Sequence, residues 1–171
     1  MIVFINGSFG VGKTTVAEML VQELPNSLLY DAEEVGFMLR NILRPIDWSG
    51  DFQNYPMWRT LTMEVARGLR ETYERTLIMP MTIRREDYFN EVMTGLASFD
   101  TEVHHFCLTA SADVIRSRVH LRGEQSNGDW IFDQIEKCVS SFNSDLFEEK
   151  IDTATMSPHQ ITQHIISRVK N

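Results

Sequence analysis

The chain has 171 residues, 43% of them hydrophobic and 23% charged, with a formal net charge of -8. This predicts one domain, residues 1–171, large enough to bury roughly 70% of its unfolded surface. The acidic balance argues against nucleic-acid or anionic-membrane partners. No apolar run nears the ~18 residues of a membrane span, and no secretory leader is visible. Cys107 and Cys138 lie far apart without metal spacing, as expected of reduced thiols in a cytoplasmic protein.

The first predicted element is a buried strand over residues 1–6, an apolar run rich in β-branched residues. It leads into INGSFGVGKTT and then a helical pattern over 13–24 that Pro25 ends. Gly7, Gly12, Lys13 and Thr14 satisfy G-x-x-x-x-G-K-[ST] between a strand and a helix, the setting in which the pattern means a phosphate-binding loop. Glycines let backbone amides converge on phosphate oxygens, and the helix aims its positive end at the same anion. Lys13 is expected on the β- and γ-phosphates and the Thr14 hydroxyl on Mg²⁺. Gly7, Ser8, Phe9, Gly10, Val11, Gly12, Lys13, Thr14 and Thr15 therefore form the expected site for a nucleoside triphosphate.

A second strand, 27–31, ends at Asp31, at the carboxyl edge where open α/β sheets bind ligands. Asp31 is a candidate to take a proton from an acceptor hydroxyl or to hold Mg²⁺ through water. Its alternative role is to cap the next helix, 32–43, with Glu33 and Glu34 favouring the first turn. On that helix Arg40 is either a substrate anchor or a solvated residue. A loop over 44–56 and a helix over 57–74 follow. The third strand, 76–83, departs from the common phosphate-loop layout: Met81 and Thr82 stand where an acidic metal anchor is usual. Of Arg84 and Arg85, at most one is expected to face an acceptor pocket. A helix over 85–97 completes this stretch.

The fourth strand, 103–109, carries His104 and His105, read as structural because no ligand partners accompany them. On the helix 111–122, Arg118 and Arg122 are four apart and share a face, suited to the charge of a transferring phosphoryl group. The polar stretch 122–129 is a candidate lid, part of a mobile unit expected around 118–130. A helix over 130–143, a strand over 149–154 and a helix over 158–169 close the chain. The last helix has Ser157 as N-cap, Pro158 at its first position and Gln160 completing a capping box. Trp48, Trp58 and Trp130 read as packing residues. Strands alternating with helices predict an α/β protein with a mostly parallel sheet.

These residues resemble the small-molecule kinase branch of the phosphate-loop proteins, which includes adenylate, shikimate and gluconate kinases and chloramphenicol phosphotransferase. Within it the chain most resembles the bacterial tunicamycin resistance protein family, through DAEEVGFMLR, MPMTI and FCLTASADVIRSRVHLRGE. The resemblance implies a three-layer P-loop NTPase fold whose five-stranded parallel sheet runs 2-3-1-4-5. It implies ATP with Mg²⁺ on the loop, the turn 153–158 with Thr155 and Ser157 against the adenine, and a lid carrying Arg118 and Arg122. Lys13, Asp31, Arg118 and Arg122 would be catalytic, Asp31, Arg40 and Arg84 would hold the acceptor, and Thr14 and Asp31 the metal. The expected acceptor is a nucleoside-like antibiotic or a sugar nucleotide, on a monomer or homodimer. Two alternatives stay open: a nucleotide-dependent binding protein that transfers nothing, and a nucleoside monophosphate kinase using Arg40, Arg59 and Arg84.

Overall fold

A computed structural model describes residues 1–47, 50–121 and 128–170, with the backbone alone over 128–133. Arg122, Trp48, the Trp130 side chain and most of the expected lid lie outside the described residues. The strands are β1 (Ile2–Gly7), β2 (Ser27–Leu29), β3 (Thr76–Pro80), β4 (Val103–Thr109) and β5 (Lys150–Asp152). All pairings are parallel and the order is β2-β3-β1-β4-β5, as the resemblance implied. The helices are α1 (Lys13–Glu23), α2 (Glu33–Leu43), α3 (Pro56–Tyr73), α4 (Glu86–Ala97), α5 (Ala112–Leu121), α6 (Gly128–Phe142) and α7 (Pro158–Val169). A 3-10 turn, Phe52–Asn54, interrupts the long loop before α3.

The period of two along each strand sorts the core into two layers. Ile2 and Phe4 of β1 and Leu77 and Met79 of β3 face one side, where α2, α3, α4 and α6 cover them with Leu39, Trp58, Val92 and Phe142. Val3, Ile5 and Ile78 face the other, packed against Val16 and Leu20 of α1 and Ile161 and Ile165 of α7. The central strand is buried on both faces, so its sequence is continuously apolar rather than alternating. Helices on both faces make a three-layer molecule.

Three strands are shorter than their apolar runs. Strand β3 stops at Pro80 rather than residue 83, yet Met81 still donates to the Ile5 carbonyl (2.9 Å), and Met81, Thr82 and Ile83 remain buried. Burial kept the run apolar after its ladder had ended. Likewise β2 ends at Leu29, with one further bond from Tyr30 N to Ile78 O (2.9 Å), and β5 covers only Lys150–Asp152 of 149–154. The expected capping box is formed: the Ser157 hydroxyl accepts from Gln160 N, and the Gln160 side chain accepts from Ser157 N.

Candidate functional site

The loop between β1 and α1 is built by glycine geometry. Gly7 has a φ of 149°, and a Cβ there would lie 2.5 Å from the Leu108 carbonyl oxygen, so β4 runs against this backbone only because no side chain intervenes. Gly12 is the left-handed N-cap of α1 (φ 110°), and a Cβ there would meet only open space. Lys13 turns back over the loop, its Nζ donating to the carbonyls of Gly7 (3.1 Å) and Ser8 (2.9 Å). Burial lowers its pKa to about 8, against the opposing pull of Glu33, Cys138, Cys107 and Asp31. Thr14 and Thr15, in the first turn of α1, are exposed.

Two cavities flank this loop. One, of about 350 Å³, lies against Gly10, Val11, Gly12, Thr15, Arg118, Thr153, Met156 and Pro158. Arg118 braces it by donating to the Val11 carbonyl (3.2 Å), the Thr153 hydroxyl (2.8 Å) and the Thr153 carbonyl (2.7 Å). The turn after β5 therefore does border the loop, but through Thr153, Met156 and Pro158. The Thr155 hydroxyl donates to Asp152 O (3.2 Å) and that of Ser157 caps α7. Helix α5 ends at Leu121, so only Arg118 of the expected arginine pair lies among the described residues.

The second cavity, of about 240 Å³, is lined by Phe9 from the loop, Glu33, Phe37 and Arg40 from α2, Asp51, Phe52 and Gln53, Thr82 and Arg84 beyond β3, and Gln134 and Cys138 from α6. Asp31 is exposed one residue before Ala32, the N-cap of α2, and its Oδ1 accepts from Glu33 N at 2.9 Å. Glu33 is in the first turn of α2, as read from sequence, and also lines this cavity. Burial, and then the charge of Asp31, pushes its carboxyl above the usual range, while Lys13 and Arg40 oppose the shift. The spacing Asp-x-Glu at a strand exit was the available signal.

Arg40 lies over the Phe52 ring (5.3 Å) and near Phe37 (5.8 Å). Arg84 reaches the cavity, whereas Arg85 lies over Tyr88 (3.9 Å) and pairs with Asp87. Helical spacing is not what separates them: α4 begins only at Glu86, and Arg85 is its extended N-cap. Arg59 is spent elsewhere, 9% exposed and bonded to Glu91 (2.5 Å) and the Gln53 carbonyl (2.7 Å). It is a strut behind the pocket, not a lining residue.

A buried residue missed in sequence holds the loop to the third strand. Asn6 Oδ1 accepts from Gly7 N and Ile83 N, and its Nδ2 donates to Ile83 O, each at 2.9 Å. One amide thus ties the phosphate loop to the segment carrying Thr82 and Arg84. Trp58 Nε1 donates to Ala32 O (3.0 Å) and Tyr30 Oη to Thr62 O (3.1 Å), which fixes the start of α2 against α3. A further cavity, about 390 Å³ around His104, His105, Glu148 and Arg168, lies at the amino end of β4, away from the glycine loop.

Strand order, glycine loop and the lysine folded back over it define an α/β phosphate-loop protein of kinase-like fold. The chain belongs to the AAA-domain family AAA_33, whose model matches residues 2–144. It is similar over 98% of its length to 94% of the tunicamycin resistance protein of Deinococcus radiodurans, at 32% identity and a TM-score of 0.82. A gluconokinase from Sinorhizobium meliloti 1021 (13% identity, TM-score 0.68, 99% of this chain and 90% of that one) shares the fold. So does a shikimate kinase from Bacteroides thetaiotaomicron (13%, 0.66, 100% and 99%). No curated protein matches the sequence. Among the described residues no helix is long and apolar enough to cross a membrane.

Proposed function

We propose that this protein is an ATP-dependent phosphotransferase of the cytoplasm that moves the γ-phosphoryl group of ATP to a hydroxyl of a small molecule. The observation that carries this reading is the single loop with a cavity on each side. Gly10 to Gly12 face one cavity and Phe9 the other, with Lys13 and Glu33 within electrostatic reach of each other between them. ATP would occupy the first, its base near Arg118 and the turn 153–158, its phosphates on the loop amides and Lys13. The acceptor would occupy the second.

In this arrangement the acceptor oxygen attacks the γ-phosphorus, the new P–O bond forms as the β–γ bridging bond breaks, and ADP departs. The hydroxyl proton goes to a carboxylate. Glu33 suits that task because its raised pKa makes it a better base than a solvated glutamate while Lys13 and Arg40 hold it within working range. Asp31, exposed beside it, is left to orient the start of α2 and, with the Thr14 hydroxyl, to bind Mg²⁺. Two oxygen donors are a set that Mg²⁺ accepts, because it completes its shell with phosphates and water. Bound Mg²⁺ would neutralise phosphate charge. The same exposure keeps Asp31 available as the base, and paired substitutions separate the two carboxylates.

Similarity to a tunicamycin resistance protein makes a tunicamycin-like nucleoside the first acceptor to try. A second reading, sequestration without transfer, draws on Met81 and Thr82 standing where a metal-anchoring acid is usual. Mass spectrometry of the nucleoside after incubation with MgATP separates the two. An added phosphoryl group that depends on Lys13, and that falls at least ~10²-fold in Glu33→Gln or Asp31→Asn, supports transfer. Stoichiometric binding with unmodified nucleoside defeats it.

A further inference from the structure

Within the acceptor pocket two groups lack hydrogen-bond and ion-pair partners among the described residues, and they sit two positions apart on one segment. One of them, Arg84, lies within electrostatic reach of the Cys138 thiol. The Thr82 hydroxyl is buried without a hydrogen-bond partner, in a residue 7% exposed that lines the cavity. Leaving such a hydroxyl unpaired is costly unless a ligand or water completes it. Its main chain is held to the 3-10 turn, because Gln53 Nε2 donates to the Thr82 carbonyl at 2.7 Å. Two residues on, Arg84 is exposed at the pocket wall and enters no hydrogen bond or ion pair among the described residues.

The other basic residues near this pocket are engaged. Arg40 lies on the rings of Phe37 and Phe52 and within electrostatic reach of Glu33, Arg59 is bonded to Glu91, and Arg85 to Asp87. An unpaired guanidinium fork beside an unsatisfied hydroxyl suits the oxygens of a carboxylate or phosphate. Phe9, Phe37 and Phe52 supply apolar walls, and the carboxylates Glu33 and Asp51 line the same cavity, so an anion is favoured only at the Thr82 and Arg84 wall. Asn6 anchors Ile83 between Thr82 and Arg84, which holds the pair at a set distance from the phosphate loop.

We infer that Thr82 and Arg84 form an anion subsite, and that the acceptor carries a carboxylate or phosphate group bound there, away from the hydroxyl presented to the γ-phosphoryl. This rests on the phosphotransferase reading for its second half. The first half, anion binding at Thr82 and Arg84, stands or falls separately. A pocket of about 240 Å³ fits an acceptor, or the bound part of one, on the scale of an acidic sugar or a mononucleotide.

The test begins with the full chain saturated with Mg²⁺ and a non-hydrolysable ATP analogue, so that the phosphate loop is filled. Inorganic phosphate is then titrated by calorimetry. A saturable event is expected, weakened at least 10-fold in Arg84→Gln, less in Arg84→Lys, and weakened again in Thr82→Val, which keeps the buried volume. Arg84 is exposed and its replacement leaves the fold intact, which circular dichroism checks. Matched pairs then identify the anion: uridine against uridine 5′-monophosphate, and glucose against gluconate. Tighter binding of the charged member of either pair, lost in Arg84→Gln, supports the subsite and says whether phosphate or carboxylate is preferred. No second phosphate event, or one that Arg84→Gln leaves unchanged, overturns it. Anion binding that depends on Arg84, with no phosphorylated product from any acceptor, retains the subsite and removes the kinase reading. Efficient turnover of a neutral acceptor, unaffected in Arg84→Gln, retains the kinase reading and overturns the anionic acceptor.

Discussion

Lys13 holds its proton less tightly than a solvated lysine because burial outweighs the acidic groups around it. Its folded pKa of about 8 lies below the unfolded value, so between the two the unfolded chain binds more protons. Stability of the free protein therefore gains from Lys13 as pH rises from about 8 toward 10.5, and loses that gain when pH falls back through this window. Phosphate oxygens reverse the balance by favouring the ammonium. Nucleotide binding at pH 8 should then take up about 0.5 proton at Lys13, since half of these groups are neutral at their pKa. Calorimetry in two buffers of different ionisation enthalpy measures this, and Lys13→Met should abolish it. A proton uptake identical in the variant would place the titrating group elsewhere. Glu33 supplies the opposite limb. Because burial raises its pKa, turnover should fall as pH drops through a value above the ordinary carboxylate range. Asp31→Asn should retain that acid limb with a reduced plateau, and Glu33→Gln should lose it. A pH–rate profile of each variant decides which carboxylate is the base. The sequence pointed to this edge of the sheet through Asp31. It did not separate Glu33 from Glu34, because an acidic residue in a first helical turn has an ordinary explanation in the helix dipole. Only the path of α2, pinned by Trp58 to Ala32, turns Glu33 inward.

Among the elements, the strands were legible and their ends were not. Alternation with helical patterns located all five, but an apolar run records burial, and Met81 to Ile83 are buried beyond the ladder of β3. Asn6 was invisible for a related reason: at the end of an apolar strand it reads as the start of the loop, and its two bonds to Ile83 span 77 positions of sequence. The histidines of β4 were read as structural, and His105 is packed against Phe4, Phe89 and Phe147 (centroids 5.6, 4.8 and 6.3 Å). Burial lowers its pKa to about 4, and its Nε2 is unpartnered among the described residues. The unfolded chain binds this proton more readily, so stability is complete above the unfolded value near 6.5 and declines as pH falls toward 4. His105→Phe should flatten the pH dependence of the urea midpoint over that window, because a ring of similar shape remains without a proton to gain. Asp100 supplies an internal contrast. Burial alone would raise its carboxyl, but bonds from Glu102 N, the N-terminus and Arg70 lower it overall, so its contribution is lost only below 3.8. A variant that keeps the wild-type slope between pH 4 and 6.5 would show that His105 is not the acid-sensitive element.

At the scale of the molecule, the phosphate loop is a shared wall, and what lies on each side decides how ligands couple to stability. Arg118 was expected, with Arg122, to meet the transferring phosphoryl group from a lid. Its guanidinium joins Val11 of the loop to Thr153 after β5, bridging elements 107 and 35 residues away in sequence. Such bonds are made whether or not phosphoryl transfer is under way, so their loss should weaken nucleotide binding before it slows chemistry. Arg118→Ala should raise the KM for ATP on the order of 10- to 100-fold, roughly the worth of one charge-assisted bond, with a smaller fall in kcat. The same linkage appears in unfolding. At a concentration ~100 times its Kd, MgATP should stabilise the wild type by about 2.7 kcal/mol, a rise of roughly 5–10 °C in Tm for a chain of this size. Lys13→Met should lose most of that rise, because the phosphates then meet no ammonium. Arg118→Ala should lose part of it, recovered at higher ATP. Differential scanning fluorimetry over an ATP series reads all three proteins on one axis. A Tm rise in Lys13→Met equal to the wild type's would mean that ATP does not sit on this loop. An unchanged ATP response in Arg118→Ala with kcat sharply reduced would return Arg118 to the reacting phosphoryl group, and would require this residue to leave Thr153 when the site is filled.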